Sequence, residues 1–77
     1  MNATDTHKLV RADELETGDI VPGIATTRHR VVRVAKGRHL LRGEVVVLTT
    51  REILGEQYGP ETISHFNFFE RVWVEKH

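Results

Sequence analysis

Six basic side chains lie close together in a segment of the chain that contains no acidic residue. The segment runs between Asp19 and Glu44, and its basic residues are Arg28, Arg30, Arg33, Lys36, Arg38 and Arg42. Arginine side chains bind phosphate oxygens in bidentate pairs, and a two-stranded β-ribbon fits the major groove of DNA. The sequence therefore predicts a binding surface for nucleic acid or another anion, with DNA and RNA as alternative partners.

Two other interpretations of the same segment stay open. Its basic side chains can lie on a solvated strand face and pair across the sheet with Glu44, Glu61 or Glu70. Charges at the edge of a sheet also prevent association with another strand. They can also attract a protein partner that has an acidic surface. The chain as a whole is neutral, with eleven Lys and Arg against eleven Asp and Glu, so any electrostatic attraction has to be local.

The elements that must position these charges have the alternation of β-strands. Residues 28–36 alternate so that Arg30 shares the more apolar face and Arg33 lies on the opposite face. Residues 44–50 have the β-branched, apolar composition of a central strand that is buried on both faces. Because the segment between them is short and flanked by glycine, we predict one long hairpin.

A compact motif precedes the hairpin. We predict one short helical turn near Asp13 to Glu16, whose two ends have the spacing of a capping box. Ala12 and Leu15 lie three residues apart and should face the same side of this turn. Gly18 can take the positive φ that ends it, and the Asp19 carboxylate can bond backbone N–H groups just beyond, where a strand begins.

The second half of the chain predicts two more strands. Residues 51–60 contain a Gly-Pro pair and indicate a loop, whereas residues 61–66 and 71–75 alternate as strands joined by a tight connection. Strands at about ten-residue spacing are typical of a small antiparallel barrel. We predict an all-β, five-stranded, partly open antiparallel barrel, with a flexible N-terminus over residues 1–7 and a single domain over residues 8–77.

The motif Ala12-x-x-Leu15-x-x-Gly18-Asp19-x-Val21 resembles the first strand of Hint domains, the fold of inteins and hedgehog autoprocessing domains. It also resembles the Gly-Asp-x-Val start of KOW and other SH3-like barrels. Protein splicing is excluded, because no Cys, Ser or Thr nucleophile lies just upstream. Over its whole length the chain is similar to small uncharacterised SH3-like barrel proteins of actinobacteria and their phages. This resemblance implies a phage or cytoplasmic accessory protein. It assigns a function to none of the residues.

Aromatic residues are concentrated at the C-terminal end of the chain. Four of the five lie there, namely Phe66, Phe68, Phe69 and Trp73. We expect them to complete the core, because a stacking platform for bases needs interleaved basic residues and only Arg71 is present. Trp73 is the exception, since it faces opposite to its two valine neighbours, and it is our candidate for contact with a protein partner or a second copy of the chain.

Metal, cofactor and catalytic sites are not predicted. The five histidines, at positions 7, 29, 39, 65 and 77, lack metal-site spacing, and a site would need His29, His39 and His65 to converge with a carboxylate. We expect His29 and His39 to face each other across the hairpin. Ser64 and His65 are neighbours on a strand and point to opposite faces, so they cannot act as nucleophile and base. A chain of 77 residues also leaves little room for a deep substrate cavity.

The cysteine content, the length of the apolar runs and the N-terminal residues indicate where the protein is located. There is no cysteine, and no apolar run approaches the roughly 20 residues of a membrane helix. The polar N-terminus lacks the apolar region of a signal peptide. We therefore expect a soluble, non-enzymatic binding protein of the cytoplasm without a membrane partner. Nucleic acid is the first candidate partner, and a protein partner or a homodimer formed through a strand edge or the Trp73 face is the second.

Overall fold

A computed structural model describes residues 3–23 and 26–76 of the chain. The elements are a helical turn α1 (Ala3–Thr6), strand β1 (His7–Arg11), a 3-10 turn (Ala12–Glu14), and strands β2 (Ile20–Pro22), β3 (Arg28–His39), β4 (Gly43–Leu54), β5 (Gln57–Phe66) and β6 (Arg71–Glu75). The predicted class, a small and partly open all-β antiparallel barrel, is confirmed. The described residues contain six strands, however, where we predicted five.

The strands form two antiparallel sheets. Strands β2, β3, β4 and β5 pair in that order and curl into a half-barrel, while β1 and β6 form a separate two-stranded sheet. The two sheets meet where β2 contacts β6. The core lies between them, and its buried members are Ala12, Leu15, Val21, Val31, Val46, Leu48 and Val74. Burial of these side chains is the main force that holds the sheets together.

The strand that sequence analysis missed is β1. It pairs along β6 from His7, opposite Glu75, to Arg11, opposite Arg71. Only Leu9 and Val10 are strongly apolar in this strand, so its alternation is too short to recognise without the partner strand. The strand thus begins one residue before the predicted domain boundary. Met1 and Asn2, the start of the terminus that we predicted to be flexible, lie outside the described residues.

The motif before the hairpin forms a turn that differs in detail from the prediction. Ala12 and Leu15 are both buried, and Gly18 has a φ of 98°, as expected. The turn spans Ala12–Glu14 rather than Asp13 to Glu16, and no side chain caps it. The Asp19 carboxylate accepts a hydrogen bond from the N–H of Glu16, three residues upstream, where we had expected contacts beyond Asp19.

Residues 51–60 are not the predicted loop. Strand β4 continues to Leu54, β5 begins at Gln57, and these two residues pair on either side of a two-residue turn. Gly55 opens this turn with a φ of 64°, a left-handed conformation that suits tight hairpins. The Gly-Pro pair that suggested a loop lies where the β4–β5 register shifts, so it forms a bulge within a strand.

The long hairpin is confirmed and is longer than predicted. Strands β3 and β4 pair as far as His39 and Gly43, three residue pairs beyond the last pair of β4 with β5. The predicted central strand is buried on both faces at Val45, Val46, Leu48, Thr49 and Thr50. Phe66 and Phe68 pack against the core as expected, but Phe69 is 78% exposed because it lies in the turn between β5 and β6.

Candidate functional site

A β-bulge in β3 decides which of its arginines share a face. The register of the β3–β4 pair shifts around Val32, which has no partner in β4. Arg30 pairs with Arg51 and Arg33 pairs with Thr49, two residues apart on a regular part of β4. A one-residue bulge reverses the alternation of side chains on either side of it. Arg30 and Arg33, predicted on opposite faces, therefore lie on the same face.

This shared face is the convex outer surface of the half-barrel. The alternate residues of β4, Leu48 and Thr50, line the concave side that holds the core. The predicted assignment of Arg30 to the more apolar face was therefore wrong. Strict period-two alternation cannot reveal a bulge, because the extra residue leaves no mark in the sequence.

Two arginines on this face lie within cation–π distance of one aromatic ring. Arg30 and Arg51 are direct cross-strand partners, and the guanidinium carbon of each lies 5.8 Å from the centroid of the Tyr58 ring. Arg51 is held in place because its Nε donates a hydrogen bond to the carbonyl oxygen of Gly59 at 3.0 Å. Tyr58 is 46% exposed. We call Arg30, Arg33, Arg51 and Tyr58 the convex cluster.

No ion pair joins the convex cluster to a carboxylate within the part of the chain that the structure describes, although Glu61 is the cross-strand neighbour of Arg51 on β5. The ion pairs there involve Arg11, Arg28 and Arg42. The Nε of Arg30 is buried and has no hydrogen-bond partner among the described residues. Like charges opposite each other destabilise a sheet, and a buried donor without an acceptor costs about 1–3 kcal/mol. An anion bound between Arg30 and Arg51 would relieve the repulsion between the two guanidinium groups.

Two of the predicted binding residues, Arg28 and Arg42, form ion pairs with carboxylates from the C-terminal part of the chain. Arg28 donates to Glu75 through Nε at 2.6 Å and a terminal nitrogen at 2.8 Å. This hydrogen bond raises the pKa of Arg28 and lowers the pKa of the Glu75 carboxyl. Arg42 donates to Glu70 at 2.7 Å and to the carbonyl oxygen of His65 at 3.1 Å. An ion pair with Glu70 is one of those expected if the basic residues form a solvated strand face.

The remaining two predicted residues lie away from the convex cluster. Lys36 and Arg38 line a small cleft next to Glu44, on the side of the hairpin where Phe68 packs. The Lys36 ammonium is 5.7 Å from the centroid of the Phe68 ring. The six predicted residues therefore do not form one surface, because twist, bulge and ion pairs divide them into three groups.

Arg51 and Tyr58 complete the convex cluster but are not among the predicted binding residues. Both belong to the segment that we interpreted as a loop, and the predicted basic surface therefore does not include them. One sequence feature does indicate their position. Two apolar residues precede Gly55 and a tyrosine follows it, and this pattern is typical of a tight hairpin. A hairpin there places Arg51 and Tyr58 on neighbouring strands.

Trp73 lies on the outer face of the two-stranded sheet. It pairs with Leu9, which is 46% exposed, while Val72 and Val74 on the same strand contact the core. The predicted orientation is confirmed, and the predicted role of Trp73 in protein contact stays a prediction. Among the described residues, β5 pairs with β4 alone, so it is an edge strand of the four-stranded sheet.

The histidines do not come together. His29 and His39 lie ten residues apart on the same strand, so the expectation that they face each other across the hairpin was wrong. His39 instead contacts His65, with 5.9 Å between the ring centroids. Over residues 3–23 and 26–76, no three potential metal ligands form a group. His77 lies outside the described residues.

An open groove of about 510 Å³ runs along the concave side of the half-barrel. Hydroxyl groups of Thr50, Thr62 and Ser64 line it, together with His29 and Glu52 at cross-strand positions. Ser64 faces this groove whereas His65 contacts His39 on the other side of the sheet, so the predicted separation of Ser64 and His65 is confirmed. The groove is open along its length and does not enclose a deep cavity.

Comparisons with protein-family models, with curated proteins and with solved structures find no match for this chain. No helix of the described residues is long and apolar enough to cross a membrane. The chemistry of the convex cluster is therefore the main guide to function.

Proposed function

We propose that this protein is a non-enzymatic module that binds nucleic acid through the convex cluster. The observation that carries the proposal is the cross-strand pair of Arg30 and Arg51, which shares the Tyr58 ring and forms no ion pair among the described residues. Phosphate groups supply the charge and the acceptor oxygens that this pair lacks. DNA and RNA share this backbone, so both are ligands of the proposed site.

The size of the cluster sets the strength of the expected binding. Three arginines can neutralise about three phosphates, and the observed association constant should fall with salt by a slope of about 0.7 to 0.9 per phosphate on logarithmic axes. The neutral chain adds no long-range attraction. We therefore expect modest affinity at low salt and a steep loss of binding at physiological salt.

The test is a salt titration with two variants of equal charge change. Arg30→Gln removes a guanidinium from the convex cluster, whereas Arg28→Gln removes one that is bound to Glu75. We expect Arg30→Gln to weaken binding and to reduce the salt slope by about 1. Arg28→Gln should bind nearly as well as the unmodified protein. Failure of the unmodified protein to bind DNA or RNA at low salt would refute the proposal.

A protein partner or homodimer is the second candidate function, and the edge strand β5 favours it. An unpaired strand edge can accept a strand from another chain. Ile63, in the middle of this strand, is 62% exposed. The outward pair of Leu9 and Trp73 offers a second contact surface. Sedimentation should then show a dimer or complex that Trp73→Ala or Ile63→Lys disrupts and Arg30→Gln does not.

A further inference from the structure

The convex cluster combines cations with an exposed aromatic ring, and we infer that its ligand is a single-stranded nucleic acid with one unpaired base stacked on Tyr58. This inference rests on the function proposed above. It concerns which form of nucleic acid binds, because a patch of cations alone would accept any phosphate backbone.

The position of Tyr58 is the first argument. The residue follows the two-residue turn at the start of β5, so its ring lies near a corner of the sheet and is 46% exposed. Arg30 and Arg51 lie at equal distances from this ring, where they can hold the phosphates next to a stacked base. In a duplex the faces of the bases are covered by their neighbours, so only a single strand can use the ring.

The small number of cations is the second argument. Duplex-binding proteins that rely on the backbone make about 6–10 phosphate contacts, whereas the convex cluster has three arginines on a neutral chain. Stacking of one base on an aromatic side chain contributes about 1–3 kcal/mol, which corresponds to about 5- to 150-fold in affinity. Because three arginines contribute little electrostatic binding energy, we expect the stacking energy to determine the preference for a single strand.

A second arginine–aromatic pair in the same chain provides an internal comparison. The Arg11 guanidinium carbon lies 5.0 Å from the centroid of the Phe69 ring, which is 78% exposed. Arg11 is held by Asp13 at 2.8 Å and lies 3.7 Å from Glu14, so carboxylates take the place that phosphate would need. Phe69 is more exposed than Tyr58, but the carboxylates around Arg11 oppose a nucleic acid. Phe69 is therefore a matched control.

The experiment measures the affinity of the full chain for three probes at low salt. The probes are a DNA strand of about twelve nucleotides, the same strand annealed to its complement, and inorganic polyphosphate of similar charge. We expect the single strand to bind more tightly than the duplex or the polyphosphate. Tyr58→Ala should lower single-strand affinity by about 5- to 150-fold, whereas Tyr58→Phe and Phe69→Ala should change it by less than about twofold.

A direct readout guards against loss of folding in Tyr58→Ala. The chain has a single tyrosine, so its ring signals in an NMR spectrum are unambiguous, and a stacked base should move them upfield on addition of the single strand only. Equal affinity for single strand and duplex, together with unmoved tyrosine signals, would overturn the inference and leave the proposed function intact. Absence of binding to all nucleic-acid probes would overturn both.

Discussion

Arg28 and Arg30 stand two residues apart on β3, and their surroundings are opposite. Arg28 binds Glu75 through two hydrogen bonds and ties the four-stranded sheet to the two-stranded sheet. Arg30 faces another arginine, Arg51, and its buried Nε has no partner among the described residues. The same residue type is therefore paired with a carboxylate in one place and with a like charge in the other.

The same contrast extends to the rest of the hairpin. Arg42, like Arg28, binds a carboxylate: it lies in the turn of the hairpin and pairs with Glu70 in the connection between β5 and β6. Arg33 and Arg51 lie with Arg30 on the convex face, away from any described ion pair. An arrangement that works against stability is a reason to look for a ligand, because sites for charged ligands are often built from groups that the fold alone leaves unsatisfied. The lesson is that the partner of an arginine indicates its role better than its position in a basic run.

The largest expected effect comes from placing a second carboxylate on β5, two residues after Glu61 and on the same face as the convex cluster. Ile63 pairs with Thr49, which lies between Arg33 and Arg51 on this face. We expect Ile63→Glu to compete with phosphate for these arginines and to weaken nucleic-acid binding by about tenfold or more, because a charge-assisted hydrogen bond contributes about 1.5–3 kcal/mol. Ile63→Gln is the uncharged control in the same titration. Equal affinity of the two variants would show that a carboxylate added to this face does not affect binding.

The next effect concerns the stability that the ion pair of Arg42 contributes. Arg42→Gln removes an ion pair with Glu70 and a hydrogen bond to the carbonyl oxygen of His65. We expect a loss of about 1–2 kcal/mol in the free energy of unfolding, measured by urea denaturation, since each interaction contributes about 1 kcal/mol or less. Binding to a single strand should change little. A variant as stable as the unmodified protein would mean that this ion pair does not stabilise the fold.

A smaller effect of opposite sign is expected on the convex face. Arg30→Glu replaces a pair of like charges with an opposite-charge pair to Arg51 and removes the buried Nε donor. Cross-strand pairs of this kind contribute about 0.2–1 kcal/mol, so the variant should unfold at higher urea concentration while losing nucleic-acid binding. Arg30→Gln should lie between the two proteins in stability. If Arg30→Glu is instead destabilised, Arg30 supports the fold and the contrast with Arg28 fails.

Much of the fold could be predicted from the chain. The β-branched run of the central strand, the glycine-flanked hairpin and the buried pair of Ala12 and Leu15 each contain a local pattern that has one reasonable interpretation. Strand β1 could not be predicted in the same way, because it has too few apolar residues to show the alternation of a strand. It is defined by its pairing with β6. Local sequence also could not separate a Gly-Pro bulge within β5 from a loop.

The candidate site could be predicted only in part. The excess of basic residues on β3 was visible, and it included Arg30 and Arg33. Their common face depends on the bulge at Val32, and the site is completed by Arg51 and Tyr58 from the neighbouring strands. These features arise from register and cross-strand distance, which are tertiary properties. Arg28 and Glu75 are 47 residues apart in the sequence, so no local pattern could have identified their ion pair.

The smallest effect is a pH dependence that belongs to the junction of the sheets alone. The hydrogen bond from Arg28 lowers the pKa of Glu75 below its usual value of 4.5. A carboxyl whose pKa is lowered in the folded state contributes stability above its unfolded pKa, and that contribution is lost as pH falls through the lower, folded value.

Glu75→Gln cannot titrate, so the stability difference between this variant and the unmodified protein should be largest near neutral pH. It should shrink as the solution becomes acidic, and added salt should reduce it, because the pair is partly exposed. Urea denaturation over this pH range measures the difference. A difference that stays constant from neutral to acid pH would mean that Arg28 is not bound to an ionised Glu75. Arg28 would then have the same unsatisfied charge as Arg30, and the division of the hairpin into fold-stabilising and ligand-binding arginines would have no physical basis.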